Sequence, residues 1–220
     1  MSPMMIELLL DAFIETLIMV GVSGVIGAGL GIPLGVLLVA TGPKHILPNK
    51  AVNKIVGTVA NIIRSTPFII LLVAIIPFTR FVVGTSIGTP AAIVPLSLIA
   101  IPFVGRLVES SIREVDAGLI EAAQAMGATP FQIVVKVLLP EAMPSIIAGL
   151  TITVVSLINY SAMAGAVGGG GLGDLGIRYG YQRFQPEVMA AVIVILIILV
   201  QAVQTTGDWL AVKLNKRKIQ

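Results

Sequence analysis

Glu121-Ala122-Ala123-Gln124-Ala125-Met126-Gly127, followed downstream by Val137-Leu138-Leu139-Pro140, lies in the longest charged segment of an otherwise oily 220-residue chain. Asp116 can cap a helix running through Leu119 and Glu121 to Met126, about three turns and 15 Å long. Gly127 supplies the stop. Thr129 then serves as N-cap of a second helix, with Pro130 at N1 and Gln132 closing a capping box. Pro140 and Pro144 mark the return toward the membrane. Local signals therefore specify helix, glycine hinge, helix, between two apolar runs of membrane length. Such a capped element is either a lever for a soluble partner to grip or an ordinary loop packed on itself.

The surrounding composition decides where this element sits. The chain is 56% hydrophobic and 11% charged, with a mean hydropathy of +1.03, which describes a protein soluble in lipid. Charge-free runs cover 16–40, 65–79, 81–105, 142–173 and 188–207. A spanning helix needs about 20 apolar residues. The expectation is an all-α, polytopic membrane protein forming a single transmembrane domain over 1–220. Its five spans fall near 16–40, 57–78, 88–105, 142–165 and 188–207, with the charged loop at 106–141.

The first span does not read as a secretory signal, because Glu7, Asp11 and Glu15 stand where positive charge belongs. These acids recur every fourth residue opposite Ile6, Leu9, Leu10, Phe13 and Ile14, the pattern of an amphipathic, interfacial lead-in. Basic residues near span ends favour the cytoplasm. Lys44, Lys50, Lys54 and Arg64 flank the loop between spans one and two, and Lys213, Lys216, Arg217 and Lys218 crowd the C-terminus. The N-terminus is expected outside, and the C-terminus and the 106–141 loop inside. The net charge of +3 is thus a topology signal and not a nucleic-acid footprint.

Gly27, Gly31 and Gly35, four apart on the first span, let another backbone approach closely, for static packing or for a sliding contact. Pro33 is expected to kink that helix. Arg64, near the cytoplasmic end of span two, either snorkels to the interface, pairs with the loops or lines a pathway. Pro90, Pro95 and Pro102 suit a span facing a cavity or a kinked bundle helix. Asn159, Tyr160, Ser161 and Met163 bring polar or polarisable groups into uncharged span four. They are candidate route residues, and bonding within or between helices accounts for them equally.

Cysteine is absent, which excludes disulfides, thiolate nucleophiles and thiolate metal sites. His45, the lone histidine, is expected in a solvated turn, and no metal site is expected. Gly168-Gly169-Gly170-Gly171-Leu172-Gly173-Asp174 is not a Walker loop, since no Lys follows and no βαβ unit surrounds it. It is expected as a tightly turning external segment. Asp174, Arg178, Tyr181 and Arg183 belong to this segment and suit either an interfacial belt or a docking surface and external gate. No catalytic residues are expected, because no His, Cys, Asp or Glu sits mid-span. A secondary transporter would need an internal ionisable relay, which is not seen either.

The charged stretch resembles the EAA loop of ABC importer permeases, whose pattern is E-A-A, a Gly six residues after the Glu, then I-x-L-P. Glu121, Ala122, Ala123, Gly127, Leu139 and Pro140 match it, and Val137 replaces the usual Ile. Residues 166–176, Ala-Val-Gly-Gly-Gly-Gly-Leu-Gly-Asp-Leu-Gly, and the Ile-Arg-Tyr-Gly-Tyr-Gln-Arg-Phe of 177–184 look like the methionine branch of that superfamily. The resemblance implies a homodimeric permease in the cell (inner) membrane with alternating access. It also implies two cytoplasmic ATPase subunits that bind ATP and Mg and receive the EAA loop as a coupling helix. An extracytoplasmic methionine-binding protein would deliver D- or L-substrate. The chain itself would bind no cofactor and perform no chemistry. A permease for another small solute remains the alternative.

Overall fold

The computed structural model describes residues 3–43 and 45–215. Of the basic residues used for topology, Lys44, Lys216, Arg217 and Lys218 lie outside them. The described residues form ten α-helices: α1 (Pro3–Ala40), α2 (Lys50–Ser65), α3 (Phe68–Ala74), α4 (Ile76–Val83), α5 (Thr89–Arg113), α6 (Ala117–Ala125), α7 (Pro130–Ile133), α8 (Leu139–Gly165), α9 (Gly171–Leu175) and α10 (Pro186–Leu214). Two π-helical turns, Val134–Leu138 and Gly176–Tyr181, join α7 to α8 and extend α9. No strand occurs among these residues. The architecture is an all-α polytopic bundle. Its membrane-length elements are α1, α5, the α7–α8 run, α10 and the bent pair α2–α3.

Helix α5 is the centre of the bundle, with Leu96, Ala100, Val104, Val108 and Ile112 all buried. Helix α1 lies along it, and the glycine spacing is the reason. A Cβ at Gly27 would stand 2.6 Å from that of Ala100, and one at Gly31 2.6 Å from that of Val104; at Gly35 it would meet the Gly105 carbonyl at 2.6 Å. Lipid tails are as apolar as leucine, so close backbone packing supplies the attraction that the hydrophobic effect supplies in water. Helix α1 runs unbroken through Pro33 and takes in the expected amphipathic lead-in, so 16–40 is only its second part.

The segment 57–78 departs most from the expectation of one straight span. Helix α2 ends at Ser65, and α3 leaves it at 104°. Pro67 has no N–H to continue the ladder, and it holds Thr66 in extended backbone. The Thr66 hydroxyl donates to the Ile62 carbonyl at 3.0 Å and its N–H to Ile63 at 3.2 Å, so Thr66 caps the broken end. Phe68 then stacks on Tyr160 of α8 with ring centroids 4.8 Å apart, pinning the bend to the bundle.

Three apolar clusters follow one another along the bundle. One binds α1, α3, α5 and α8 through Met19, Phe68, Leu96 and Leu157. The second, at the charged-loop end, joins Val108, Ala123, Ile133 and Leu138. The third, at the opposite end, joins Leu9 and Ala12 to Leu172, Leu175 and Val188. Helix α10 packs mainly on α8 and leaves Val194, Ile197 and Ile198 exposed, as a lipid-facing helix does.

Candidate functional site: the charged loop and the elements it joins

The charged loop folds as its local signals require. The Asp116 carboxylate accepts from the Gly118 amide at 2.7 Å and starts α6. The helix ends in a Schellman turn, in which Ala128 N–H donates to Ala123 O at 3.0 Å and Gly127 N–H to Gln124 O at 2.9 Å. Gly127 sits at φ +77 with nothing within 4 Å of where a Cβ would be, so conformation and not space requires glycine there. The capping box is complete: Thr129 N–H donates to Gln132 Oε1 at 2.9 Å, and Gln132 N–H to Thr129 Oγ1 at 3.4 Å.

Pro140, expected to mark the return toward the membrane, does not interrupt the second helix. That helix passes through the π-turn Val134–Leu138 into α8, giving one helical run from Pro130 to Gly165. Leu139 N–H reaches back to Val134 O, five residues away. This wider turn accommodates Pro140, which lacks an N–H and would crowd the preceding turn of a regular helix. Leu139 is partly buried against the loop-end cluster, and Pro140 is exposed.

Within the E-A-A triplet the side chains divide. Ala123 is buried in the cluster that seats α6, whereas Glu121 and Ala122 face outward. Three exposed apolar side chains that were not among the expected site residues also belong to this loop: Leu119, Met126 (82% exposed) and Phe131 (75% exposed). Leu119, Ala122 and Met126 recur at helical spacing on one face. The available signal was apolar residues inside a charged segment, away from any span. Exposed apolar patches of this kind are candidate protein contacts.

Behind α6, an ion network braces the end of α5. Glu109, nearly buried, accepts from Arg106 at 2.6 Å and from Arg113 at 2.8 Å. The other arm of Arg106 donates to the Gly57 carbonyl of α2 at 2.8 Å. Ser111 of α5 bonds Ser145 of α8 at 2.9 Å. The three helices are therefore tied by polar contacts just above the loop. His45, in the turn after α1, is held below its usual pKa of 6.5 by burial and then by the positive charge of Arg113.

The four span-four residues point in different directions. Ser161 is buried, and its hydroxyl donates to its own helix at Ile158 O, 2.8 Å. Tyr160 is half-buried against Phe68. Asn159 and Met163 are exposed and share a face with Ile152. An amide on an outward face of a membrane helix needs water or another protein surface beside it.

At the opposite end, the glycine tract is held by α1. The Gly171 amide donates to Glu15 Oε2 at 2.6 Å and the Leu172 amide to Thr16 Oγ1 at 2.9 Å. The Gly88 amide donates to Gly168 O at 2.7 Å, bringing in the start of α5. Glu15 was read as part of the lead-in and Thr16 as the start of the first span, and no local signal linked them to residues 156 positions away. Beyond the tract, Asp174 pairs with Arg178 at 2.5 Å. Arg183 stacks over Tyr179, 4.4 Å from the ring centre, while Tyr181 and Phe184 are exposed. Among the described residues, no cluster of His, Cys, Asp or Glu has the arrangement of a metal site.

The family described as binding-protein-dependent transport system inner membrane component matches residues 31–220. The probable D-methionine transport system permease protein MetI of Vibrio cholerae is 56% identical over 211 residues, 96% of this chain and 94% of that protein. The D-methionine transport system permease protein MetI of Escherichia coli K12 is 54% identical over 165 residues, 75% of this chain and 76% of its own. A solved structure described as inward-facing conformations of the MetNI methionine ABC transporter superposes with a TM-score of 0.96 at 52% identity, covering 98% of this chain and all of that one. An amino acid ABC transporter solved with histidines shares the fold at TM-score 0.77 and 19% identity, over 94% of each chain.

Proposed function

The chain belongs to the binding-protein-dependent transport system inner membrane component family, and on that premise we propose that it is the membrane-spanning subunit of an ABC importer for methionine. It works as a homodimer, with the α6 loop facing the cytoplasm, the glycine tract outside, the N-terminus outside and the C-terminus inside. Two separate ATPase subunits bind ATP and Mg, and an extracytoplasmic binding protein delivers substrate. The permease performs no chemistry of its own.

The observation that carries this reading is the exposed apolar face of α6, set on a capped helix that runs through a π-turn into α8. A partner that seats Leu119, Ala122, Met126 and Phe131 in a cleft takes hold of one end of a helical run whose far half carries Asn159 and Met163. Glu121 adds a polar contact at the edge of that patch. Closing the motor on ATP would draw the two α6 elements of a dimer together and change the exposure of the α8 face, the requirement of alternating access. The residues Asp174, Arg178, Tyr181 and Arg183 form a charged, aromatic rim at the outer end, suited to receiving the binding protein.

ATP-dependent uptake of labelled methionine into proteoliposomes holding the permease, its ATPase subunits and its binding protein tests the assignment. Saturable, ATP-dependent accumulation supports it. Uptake that responds to a different small solute and not to methionine would keep the importer and replace the substrate.

A further inference from the structure

Arg64 stands on a candidate membrane span, and no ion pair among the described residues engages it. Its guanidinium lies over the Phe103 ring of α5, 5.8 Å from the ring centre, and the Arg106–Gly57 bond fixes the two helices side by side. Helix α5 is about 36 Å long, and Phe103 stands about 15 Å from its Arg113 end and about 21 Å from its Thr89 end. Arg106, Glu109 and Arg113 occupy the loop-end turns of α5, and Phe103 stands three residues, about 4.5 Å, inside Arg106, so the Arg64 guanidinium sits about one turn inside the charged end of the bundle. No Asp or Glu occurs between residues 16 and 108. The ion pairs among the described residues engage Arg106, Arg113 and Arg178, and none engages Arg64. An ionisable side chain on a span with no acid to pair with is a functional-site candidate.

Its neighbours have matching chemistry. Asn61 and Ser65 share its side of α2 at helical spacing and are exposed, with Thr58 and Lys54 continuing the polar stripe toward the loop end. Helix α2 then stops at the 104° bend. Thr66 takes the Ile62 and Ile63 carbonyls, while those of Arg64 and Ser65 end the helix and point along its axis into the bend, the negative end of the helix dipole. A cationic side chain and a carbonyl-rich helix end thus stand within one turn of each other. The Phe68–Tyr160 stack sets this bend at the level of α8 that exposes Asn159. Broken helices at membrane depth persist where they line a cavity.

We propose that Arg64, Asn61 and Ser65 form a transient site on the transport route for a zwitterionic α-amino acid. Arg64 takes the carboxylate with help from the Asn61 amide, and the open carbonyl end of α2 takes the ammonium group. The site rests on the importer reading, but its demand is narrower: it recognises the amino-acid backbone and leaves the side chain to other surfaces.

The absence of cysteine makes the test direct. Asn61→Cys and Ser65→Cys are labelled in the complete complex in lipid nanodiscs, with an anionic sulfonate thiol reagent and with a neutral reagent of similar size. With Arg64 present, the anionic-to-neutral rate ratio is expected to exceed that in the Arg64→Gln background by about tenfold, the local effect of one poorly screened charge. Methionine is expected to slow labelling, while the amine lacking its carboxylate does not. Arg64→Lys should retain the charge ratio. Arg64→Met serves if Arg64→Gln fails to assemble, and the carboxylate-dependent protection stands as evidence in the unaltered background. A ratio indifferent to Arg64, or cysteines inert in every nucleotide state, overturns the proposal. Protection by another carboxylate-bearing amino acid but not by methionine upholds the site and removes only the methionine assignment.

Discussion

Glu15 Oε2 lies 2.6 Å from the amide nitrogen of Gly171, so the first helix holds the glycine tract by its backbone. Gly171 stands at φ +76 with Thr16 Oγ1 and the Met19 side chain where a Cβ would be. The tract is a backbone surface pressed on α1, and its glycines permit that approach.

Glu15→Ala should leave the Gly171 amide without its acceptor, costing about 1–3 kcal/mol locally. Hydrogen exchange at Gly171 and Leu172 should rise while the middle of α5 stays protected. Glu15→Gln keeps an acceptor and should show a smaller rise. Unchanged exchange at both amides in Glu15→Ala would show that the bond does not hold the tract.

Gly127→Ala should be tolerated for space and strained only by φ +77, a loss of about 1 kcal/mol in the loop. Gly127→Pro should be harsher, because it fixes φ near −65° and removes the N–H that donates to Gln124. ATP-driven uptake by reconstituted complexes should fall in the order wild type, Ala, Pro, with insertion unaffected. Equal uptake by all three would show that the Schellman turn is not needed for coupling.

Much of this loop was legible beforehand because its determinants are local. Asp116, Gly127, Thr129, Pro130 and Gln132 act over two or three residues, and the caps follow from their order. The long spans followed from apolar length. The bend at Thr66–Pro67 was less legible: Pro67 was visible, but the stack of Phe68 on Tyr160 that fixes its direction depends on tertiary packing. The π-turn before Pro140 was hidden for a similar reason, since a proline announces a break and not how neighbours absorb it. Glu15–Gly171 and Arg106–Gly57 were invisible because a backbone amide or carbonyl acting as partner leaves no trace in residue type.

Arg106→Ala should leave nearly buried Glu109 with Arg113 alone and free the Gly57 carbonyl. A loss of about 3 kcal/mol is expected from breaking one side of a buried ionic network. The thermal midpoint of the purified permease should drop accordingly, and replacing Arg113, whose side chain is more exposed, should lower it less. The reverse order would shift the weight of the network to Arg113.

His45 has a folded-state pKa below 6.5, lowered first by burial and then by Arg113. The unfolded chain therefore binds this proton more tightly, so stability rises with pH across the window below 6.5 and is lost as pH falls through it. Between about pH 7.5 and about pH 5.5, the thermal midpoint should fall more for wild type than for His45→Gln. Identical pH profiles would remove His45 from the loop-end electrostatics.

The central claim is that the exposed face of α6 is where the motor takes hold of the permease. Met126→Asp, at a side chain 82% exposed and outside the cluster that seats the helix, should leave the permease folded and inserted. Co-purification of the ATPase subunit with that variant should fall by at least about tenfold, as burying an unpaired carboxylate in an apolar cleft requires. The same substitution at Ile197, on the lipid-facing side of α10, should leave any correctly inserted permease bound to its motor. Full retention of the ATPase subunit and of ATP-driven uptake by Met126→Asp would contradict the account.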